Sequence, residues 1–255
     1  MRADQPSIEG LRFTRLFFRA HNAERLREFY SEVLRVREGL LEFEDGAAPR
    51  NPLSAGLFHT AFLVPDRNSL AQAYLNLIRA GVRVGGASDH LVSEAIYFQD
   101  PEGNGVELYW DKPGDHWDEA IGQVRMGTYP LDVSGMLAEL PGPGAPPEIE
   151  HVGHIHLRAL SLKDSAQFWT SFGLSVTCKY AQIATFLAAG RYHHHIGVNR
   201  FSDWTKPLAR APGLAAMELE LATSEASTRN IERYQTSPEN IDLITSVATP
   251  PVNSR

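Results

Sequence analysis

One pattern recurs four times along the chain and limits the folds open to it: a short apolar strand, a polar joint, then an amphipathic helix. The starts are Thr14–Ala20, with a helix through Phe29-Tyr30; His59–Val64, with a helix from about Ser69 to Ala80; His154–Ala159, with a helix from about Leu162 through Phe168-Trp169; and Ala216–Leu221, with a helix from about Ser224 to Tyr234. The second unit reads on most fully. Gly81 stands where a helix C-cap is expected, Val84 opens a strand and Glu94–Phe98 forms another. Asp100-Pro-Glu-Gly-Asn-Gly105 is a turn by its chemistry, and Val106–Trp110 returns as a hairpin partner. That unit is β-α-β-β-β. The repeat predicts an α+β protein of four βαβββ-type units forming curved, mixed half-barrel sheets with outer helices. The first and fourth units are shortened: only Leu40–Phe43 follows the first helix, and little but a polar tail follows Ile244.

The stretch Pro141-Gly-Pro-Gly-Ala-Pro-Pro147 holds neither helix nor ladder. It predicts a pair of units over 1–125, a linker over 126–149 and a second pair over 150–255. A chain of 255 residues has apolar side chains enough for a sizeable core without disulfide or structural metal. Its net charge of −7 and the absence of a basic run argue against a nucleic-acid or acidic-membrane partner. No apolar run reaches the roughly 18 residues of a membrane span, and the N-terminus lacks a secretory layout. One cysteine, Cys178, fits a reducing compartment. The expectation is a cytoplasmic protein.

Histidines carry the chemical signal. Strand alternation puts His59, Ala61 and Leu63 on one face, and Glu107 lies on the strand closing the same unit. Strand-borne His and Glu brought together by a folded-over sheet can bind a divalent metal; a hydrogen-bonded core histidine and a surface glutamate account for the same letters. His154 and His156 share a face of the third unit. Tyr192-His-His-His-Ile-Gly197 follows where that unit's last strand is expected, so that His193 and His195 face one way and His194 the other. A solvated face is the plain alternative. Nothing beside Cys178 would activate it as a nucleophile except Lys179, on the opposite strand face. The glycines 103 and 105 precede a strand, not a helix, so they form no phosphate loop.

These residues together resemble a family. The four units, the His opening a unit and the Glu in Asp-Pro-Glu-Gly-Asn-Gly-Val-Glu107-Leu-Tyr are similar to the vicinal oxygen chelate superfamily of glyoxalase I, bleomycin-resistance proteins and extradiol dioxygenases. Gly56-Leu-Phe-His59, Gly86–Tyr97 with His90, Gly153-His154-Ile-His156 and Tyr192–Asn199 resemble its bacterial catechol-2,3-dioxygenase-like branch. The resemblance implies metal ligands at the opening strand's first residue and in the last strand: His59, Glu107 and His154. The matching positions in the other two units are Arg15 and Ala216, which cannot ligate. All plausible ligands therefore lie in units two and three. Either the metal site is lost, or the units pair as the resemblance to some four-unit relatives of glyoxalase I implies, two with three and one with four, which would bring His59, Glu107 and His154 together and is the preferred reading.

The implied activity is extradiol cleavage of a small aromatic catechol by O₂, with Fe(II), another divalent metal or none as cofactor. The implied acid–base residue is His195, then His194. His90, Tyr109 and His156 are candidates for substrate contact, with Trp110 beside Tyr109 as a further wall. Two other functions stay open: a metal-free small-molecule-binding protein of the same fold, and a glyoxalase-type lyase using Zn²⁺ or Ni²⁺. A homo-oligomer is compatible with all three.

Overall fold

The computed structural model describes residues 8–248 except 115–116, 118, 121–122, 143 and 224–232. In chain order the first unit is β1 (Ile8–Ala20), α1 (Ala23–Glu28) continuing as a π-helical turn over Phe29–Val33, and β2 (Leu41–Asp45). The second is β3 (Gly56–Leu63), α2 (Arg67–Arg79), β4 (Val84–Asp89), β5 (Ser93–Gln99) and β6 (Gly105–Asp111). Short strands β7 (Glu119–Ala120), β8 (Gln123–Val124) and β9 (Tyr129–Pro130) lead to α3 (Val133–Ala138). The third unit is β10 (His151–Arg158), α4 (Leu162–Ser171), β11 (Ser175–Tyr180), β12 (Ala184–Ala188) and β13 (Ile196–Asn199). The fourth is β14 (Gly213–Thr223), β15 (Arg233–Thr236) and β16 (Asp242–Ala248).

Local chemistry sets these boundaries. Asp66 caps α2, its carboxylate accepting from the Ser69 amide at 2.7 Å, and Gly81 at φ +71° releases the chain after Ala80. Ser161 caps α4 by accepting from the Asp164 amide. In the turn before β6, Asp100 accepts from the Glu102 and Asn104 amides, the Asn104 side chain and the Tyr30 hydroxyl. It thereby ties the π-helical turn of unit one to the hairpin of unit two.

The strands form two large, curled half-barrel sheets with helices outside. Nine strands run β11-β12-β13-β10-β3-β6-β5-β4-β9, and five run β15-β16-β14-β1-β2. The antiparallel ladder of β3 with β10 joins units two and three. The antiparallel ladder of β1 with β14 joins units one and four. The pairing of units expected from the ligand positions is the pairing these ladders make. Each sheet takes one unit from either side of the proline-rich stretch.

One apolar core spans both sheets and the helices, with Leu16, Phe18, Phe62, Leu108, Trp169 and Met217 almost fully enclosed. Alternation on β3 sends Phe62 into that core and Ala61 to the opposite, concave face. There Ala61, Ala95 and Tyr109 make a small second cluster.

The fourth unit is shortened, as expected: among the described residues it has three strands where the second unit has four. Two further strands, β15 and β16, follow β14, and β16 runs parallel to it through seven register pairs. β16 contains the expected apolar Leu243 and Ile244 and runs on through the polar Thr245 and Ser246. The helix expected from Ser224 falls on residues 224–232, outside the described residues, and Tyr234 lies on β15. Among the described residues no helix is long and apolar enough to cross a membrane.

Candidate metal centre

The concave face of the nine-stranded sheet is built from three adjacent strands. Register places Glu107 of β6 beside Ala61 of β3, and Ala61 beside His154 of β10. Ala61 has too small a side chain to fill the row, so Glu107 and His154 meet above it, Oε2 to Nε2 at 3.1 Å. His59, one pleat along β3, brings its own Nε2 to 2.9 Å from the same Oε2. The three residues offer ligand atoms within 4.8 Å of one another, and all three are buried.

The electrostatics fit a divalent cation. Burial works to raise the Glu107 pKa, but the neighbouring His154 and His59 outweigh it and hold the carboxyl well below its usual range. Burial lowers His154 and, against only partial opposition from Glu107, keeps it neutral. An ionised carboxylate beside the neutral His154 imidazole is a protonation state that binds metal. His59 Nε2 is enclosed with no hydrogen-bond partner although it faces a carboxylate oxygen, which marks an atom set placed for a shared ion.

A cavity of about 210 Å³ opens in front of these atoms. His90, Tyr97, His156 and His194 line its polar side, and Phe58, Phe186 and Phe201 its apolar side. His156 is buried, its pKa pushed well down by burial and by the neighbouring His59 and His154, and its Nε2 has no partner. His90 lies against the Gly127 carbonyl through Nδ1 at 2.6 Å and against the Tyr97 hydroxyl through Nε2 at 2.7 Å. Burial raises Tyr97 well above the usual phenol range, and the charge of Glu107 and a hydrogen bond to it add to the shift.

The histidine run differs from its expected form. Residues 193–195 precede β13 and are not part of it, so strict alternation does not govern them. His194 lines the cavity, 4.1 Å from the His154 ring and 4.8 Å from Phe186, centre to centre. Burial, with His154 and His193 adding, pushes its pKa well down. His195 sits between β12 and β10, its amide donating to Leu187 and its carbonyl accepting from Ile155. Its Nδ1 accepts from the Ala189 amide at 3.2 Å, and burial lowers its pKa to about 3. Of the two, His194 lines the cavity and His195 does not.

Tyr109 is fully enclosed behind the cavity, its ring 4.9 Å from that of His154. Its hydroxyl meets that of Tyr192 at 2.6 Å. It supports the His154 ring and is not part of the cavity wall. Trp110 points to the opposite face and packs on the main core. Burial pushes the Cys178 thiol up, which agrees with its lack of an activating neighbour.

Tyr97, Asp111, Tyr192 and His193 were given no role from sequence. Asp111 had a signal: it follows Glu107 by four positions and Tyr109 by two on one strand face. Tyr97 faces Glu107 across the β5–β6 ladder. Tyr192 and His193 meet Asp111 at sequence separations of 81 and 82, beyond any local pattern.

A profile of the Glyoxalase/Bleomycin resistance protein/Dioxygenase superfamily matches residues 12–108, a span that includes His59 and Glu107. The chain is 40% identical over 157 residues to "Catechol-2,3-dioxygenase" of Bacillus subtilis (strain 168), covering 60% of this chain and 55% of that protein. It is 37% identical over 75 residues to "Biphenyl-2,3-diol 1,2-dioxygenase 2" of Rhodococcus globerulus, covering 29% of this chain and 40% of that one. The chain therefore spans about half the length of the curated relatives it matches. Among solved structures, a Bacillus subtilis protein assigned provisionally as a dioxygenase superposes with TM-score 0.59 at 13% identity, over 96% of this chain and 87% of that one. Glyoxalase I from Zea mays gives 0.54 at 11% identity, over 93% and 92%. These two likenesses concern the fold. Residues 12–108, which hold both βα starts of the N-terminal half, are thus similar to the Glyoxalase/Bleomycin resistance protein/Dioxygenase superfamily, and the 40% identity over 157 residues agrees with that match.

Proposed function

We propose that this protein is an extradiol dioxygenase that opens the ring of a small catechol-type aromatic with O₂, using Fe(II) held by His59, Glu107 and His154. The observation that carries the reading is a buried two-histidine, one-carboxylate cluster at the back of an aromatic-lined cavity, the ligand type of non-haem iron oxygenases. The named relatives support the substrate class. Bound iron supplies Lewis acidity toward the diol and the redox chemistry with O₂.

The chain's own residues do the remainder. Glu107, held ionised, contributes the single negative charge of the ligand set. His194, neutral and facing the cavity, accepts a proton from the diol at its free ring nitrogen and can return it later. His156, also neutral, offers a hydrogen-bonding group of no net charge beside the ring. His90 and Tyr97 form a second polar edge. Phe58, Phe186 and Phe201 exclude water and stack on an aromatic substrate. At about 210 Å³ the cavity is smaller than the roughly 300–1,000 Å³ of sites for drug-sized ligands. That volume suits a lightly substituted single ring.

The test begins with metal content after anaerobic reconstitution, followed by O₂ uptake across a panel of catechols with detection of the yellow ring-opened product. Glu107→Ala is expected to lose iron and turnover together. Bound iron with no O₂ uptake on any catechol would reject the dioxygenase reading. A chain that retains no metal would point to a metal-free binding protein, and retention of zinc or nickel to a lyase.

A further inference from the structure

Positive charge and hydrogen-bond donors are out of balance at the end of β10. Arg158 is the last residue of that strand, about 13 Å beyond His154 at roughly 3.3 Å per residue. Its guanidinium carbon lies 5.8 Å from the Phe58 ring centre and 5.3 Å from that of Trp204, so two aromatic faces hold it in place. Nη1 donates to the Pro52 carbonyl at 3.4 Å. No carboxylate among the described residues pairs with it: burial lowers its pKa, and the charge that adds to the shift is that of a second arginine, Arg50. Arg50 comes from the loop between β2 and β3 and donates Nη2 to the Asn104 side-chain oxygen at 2.7 Å. Asp100 and Glu102 act on it from a distance, yet burial outweighs them and lowers its pKa too. Those two carboxylates are taken up elsewhere, Asp100 by Tyr30 and Asn104, Glu102 by the His21 and Asn22 amides.

We infer that Arg50 and Arg158 form a binding site for one small oxyanion, a carboxylate or a phosphate, separate from the metal centre. Enclosed donors without acceptors support it. Arg50 Nε, Arg158 Nε, Asn199 Nδ2 and Trp204 Nε1 are all shut off from solvent and without a partner. Asn199 is fully buried and stands opposite Arg158 on the β10–β13 ladder, its side-chain oxygen already accepting from the Phe201 amide. Trp204 carries the ring that stacks on Arg158. Buried donors are normally satisfied, and a buried cation without a counter-charge is costly; one anion answers both. There is room for it. Arg50 and Arg158 line a cavity of about 40 Å³, where a single water needs roughly 10–15 Å³, so three or four heavy atoms fit. The fork of Nε and one Nη matches a pair of oxygens. Two other charged residues in the described wall are already bonded. Arg19 pairs with Glu44 at 3.0 Å, and Glu239 holds the Ser165 hydroxyl while burial raises its pKa, which weakens its opposition to an anion. Gly56, Leu57 and Arg158 of the nine-stranded sheet meet Leu214 and Ala215 of the five-stranded one around this cavity, so a bound anion would tie the two sheets together.

The experiment is isothermal titration calorimetry of the full-length chain with inorganic phosphate and, separately, with acetate, at an ionic strength held constant with potassium chloride. It is run on the protein as purified and again after dialysis against a chelator. The wild type is expected to take up one equivalent of at least one of the two ions, with a Kd of about 1 mM or tighter, and the arm that saturates tells phosphate from carboxylate. Saturation should raise Tm in step with occupancy, because the ion binds the folded chain alone. Arg158→Met should raise Kd about 10–100-fold, the worth of hydrogen bonds to a charged group. Arg158→Lys keeps the charge without the fork and should recover only part of the affinity. No saturable binding of either ion by the wild type up to about 10 mM, well above that Kd, overturns the inference, and this arm needs no variant. Binding that disappears on chelation belongs to the metal centre and overturns it as well. So does unchanged affinity in an Arg158→Met protein shown by circular dichroism to be folded. None of these readings depends on ring cleavage, so the failure of one proposal leaves the other standing.

Discussion

Replacing Gly153 by alanine should be one of the most costly single-methyl insertions in this molecule. The backbone is no obstacle, since Gly153 is absent from the positive-φ residues. The obstacle is Tyr109. The added Cβ would coincide with the Tyr109 hydroxyl and stand 2.7 Å from Cζ and 3.0 Å from Cε1. Tyr109 cannot swing aside: it is fully enclosed on a central strand, bonded to Tyr192 and packed on His154. Overpacking a rigid site costs roughly 1–3 kcal/mol, and losing the Tyr109–Tyr192 hydrogen bond adds about 1 kcal/mol. The expected destabilisation is about 2–4 kcal/mol, which for a chain of this size lowers Tm on the order of 10 °C. Thermal unfolding followed by circular dichroism reads it. Gly86→Ala is the control, because its Cβ would meet nothing within 4 Å, and it should shift Tm by no more than about 2 °C. Gly153→Ala combined with Tyr109→Phe removes the overlapping oxygen and should recover part of the loss. A Gly153→Ala protein as stable as the wild type would refute the reasoning, as would a double variant no better than the single one.

Other outcomes follow from the same geometry. His194→Ala should retain iron and slow turnover about 10²–10⁴-fold, whereas His195→Ala should act mainly on stability, by about 1–3 kcal/mol, because it strips the acceptor from the Ala189 amide; steady-state kinetics beside urea unfolding separates the two, and the opposite result would restore His195 as the base. Burial lowers the pKa of His154, His156 and His194, and that of His195 to about 3. Unfolded histidines titrate near 6.5, so between about pH 6.5 and 3 the unfolded chain holds more protons. Stability from these groups is therefore fully present above about pH 6.5 and is lost as pH falls toward 3; a urea midpoint that stays flat from pH 7.5 to 4.5 would contradict this. Asp100→Ala should cost about 3 kcal/mol or more, since it leaves buried donors on Tyr30 and Asn104 without their acceptor, and equilibrium unfolding would show it.

The letters alone determined what depends on neighbours in the chain. Asp66 and Gly81 delimit α2 because a carboxylate can cap an amide three residues on and glycine tolerates a positive φ. Asp100 and the glycines beside it determine the turn into β6 for similar reasons. Period-two alternation put His59 with Ala61, and the resemblance then marked Glu107 and His154. The fourth unit is short as its letters suggest, but β16 runs past Ile244 because β14 pairs with it as far as Ala248. Tertiary structure decided the remainder. The β3–β10 ladder, not any local feature, turns three separate residues into one cluster over the small side chain of Ala61. The irregular backbone before β13 chooses His194 for the cavity, a choice that strand periodicity cannot make outside a strand. Asp111 reaches Tyr192 and His193 more than eighty residues away. Hydrogen bonds of that range become visible only once the sheet has brought β6 against the loop preceding β13.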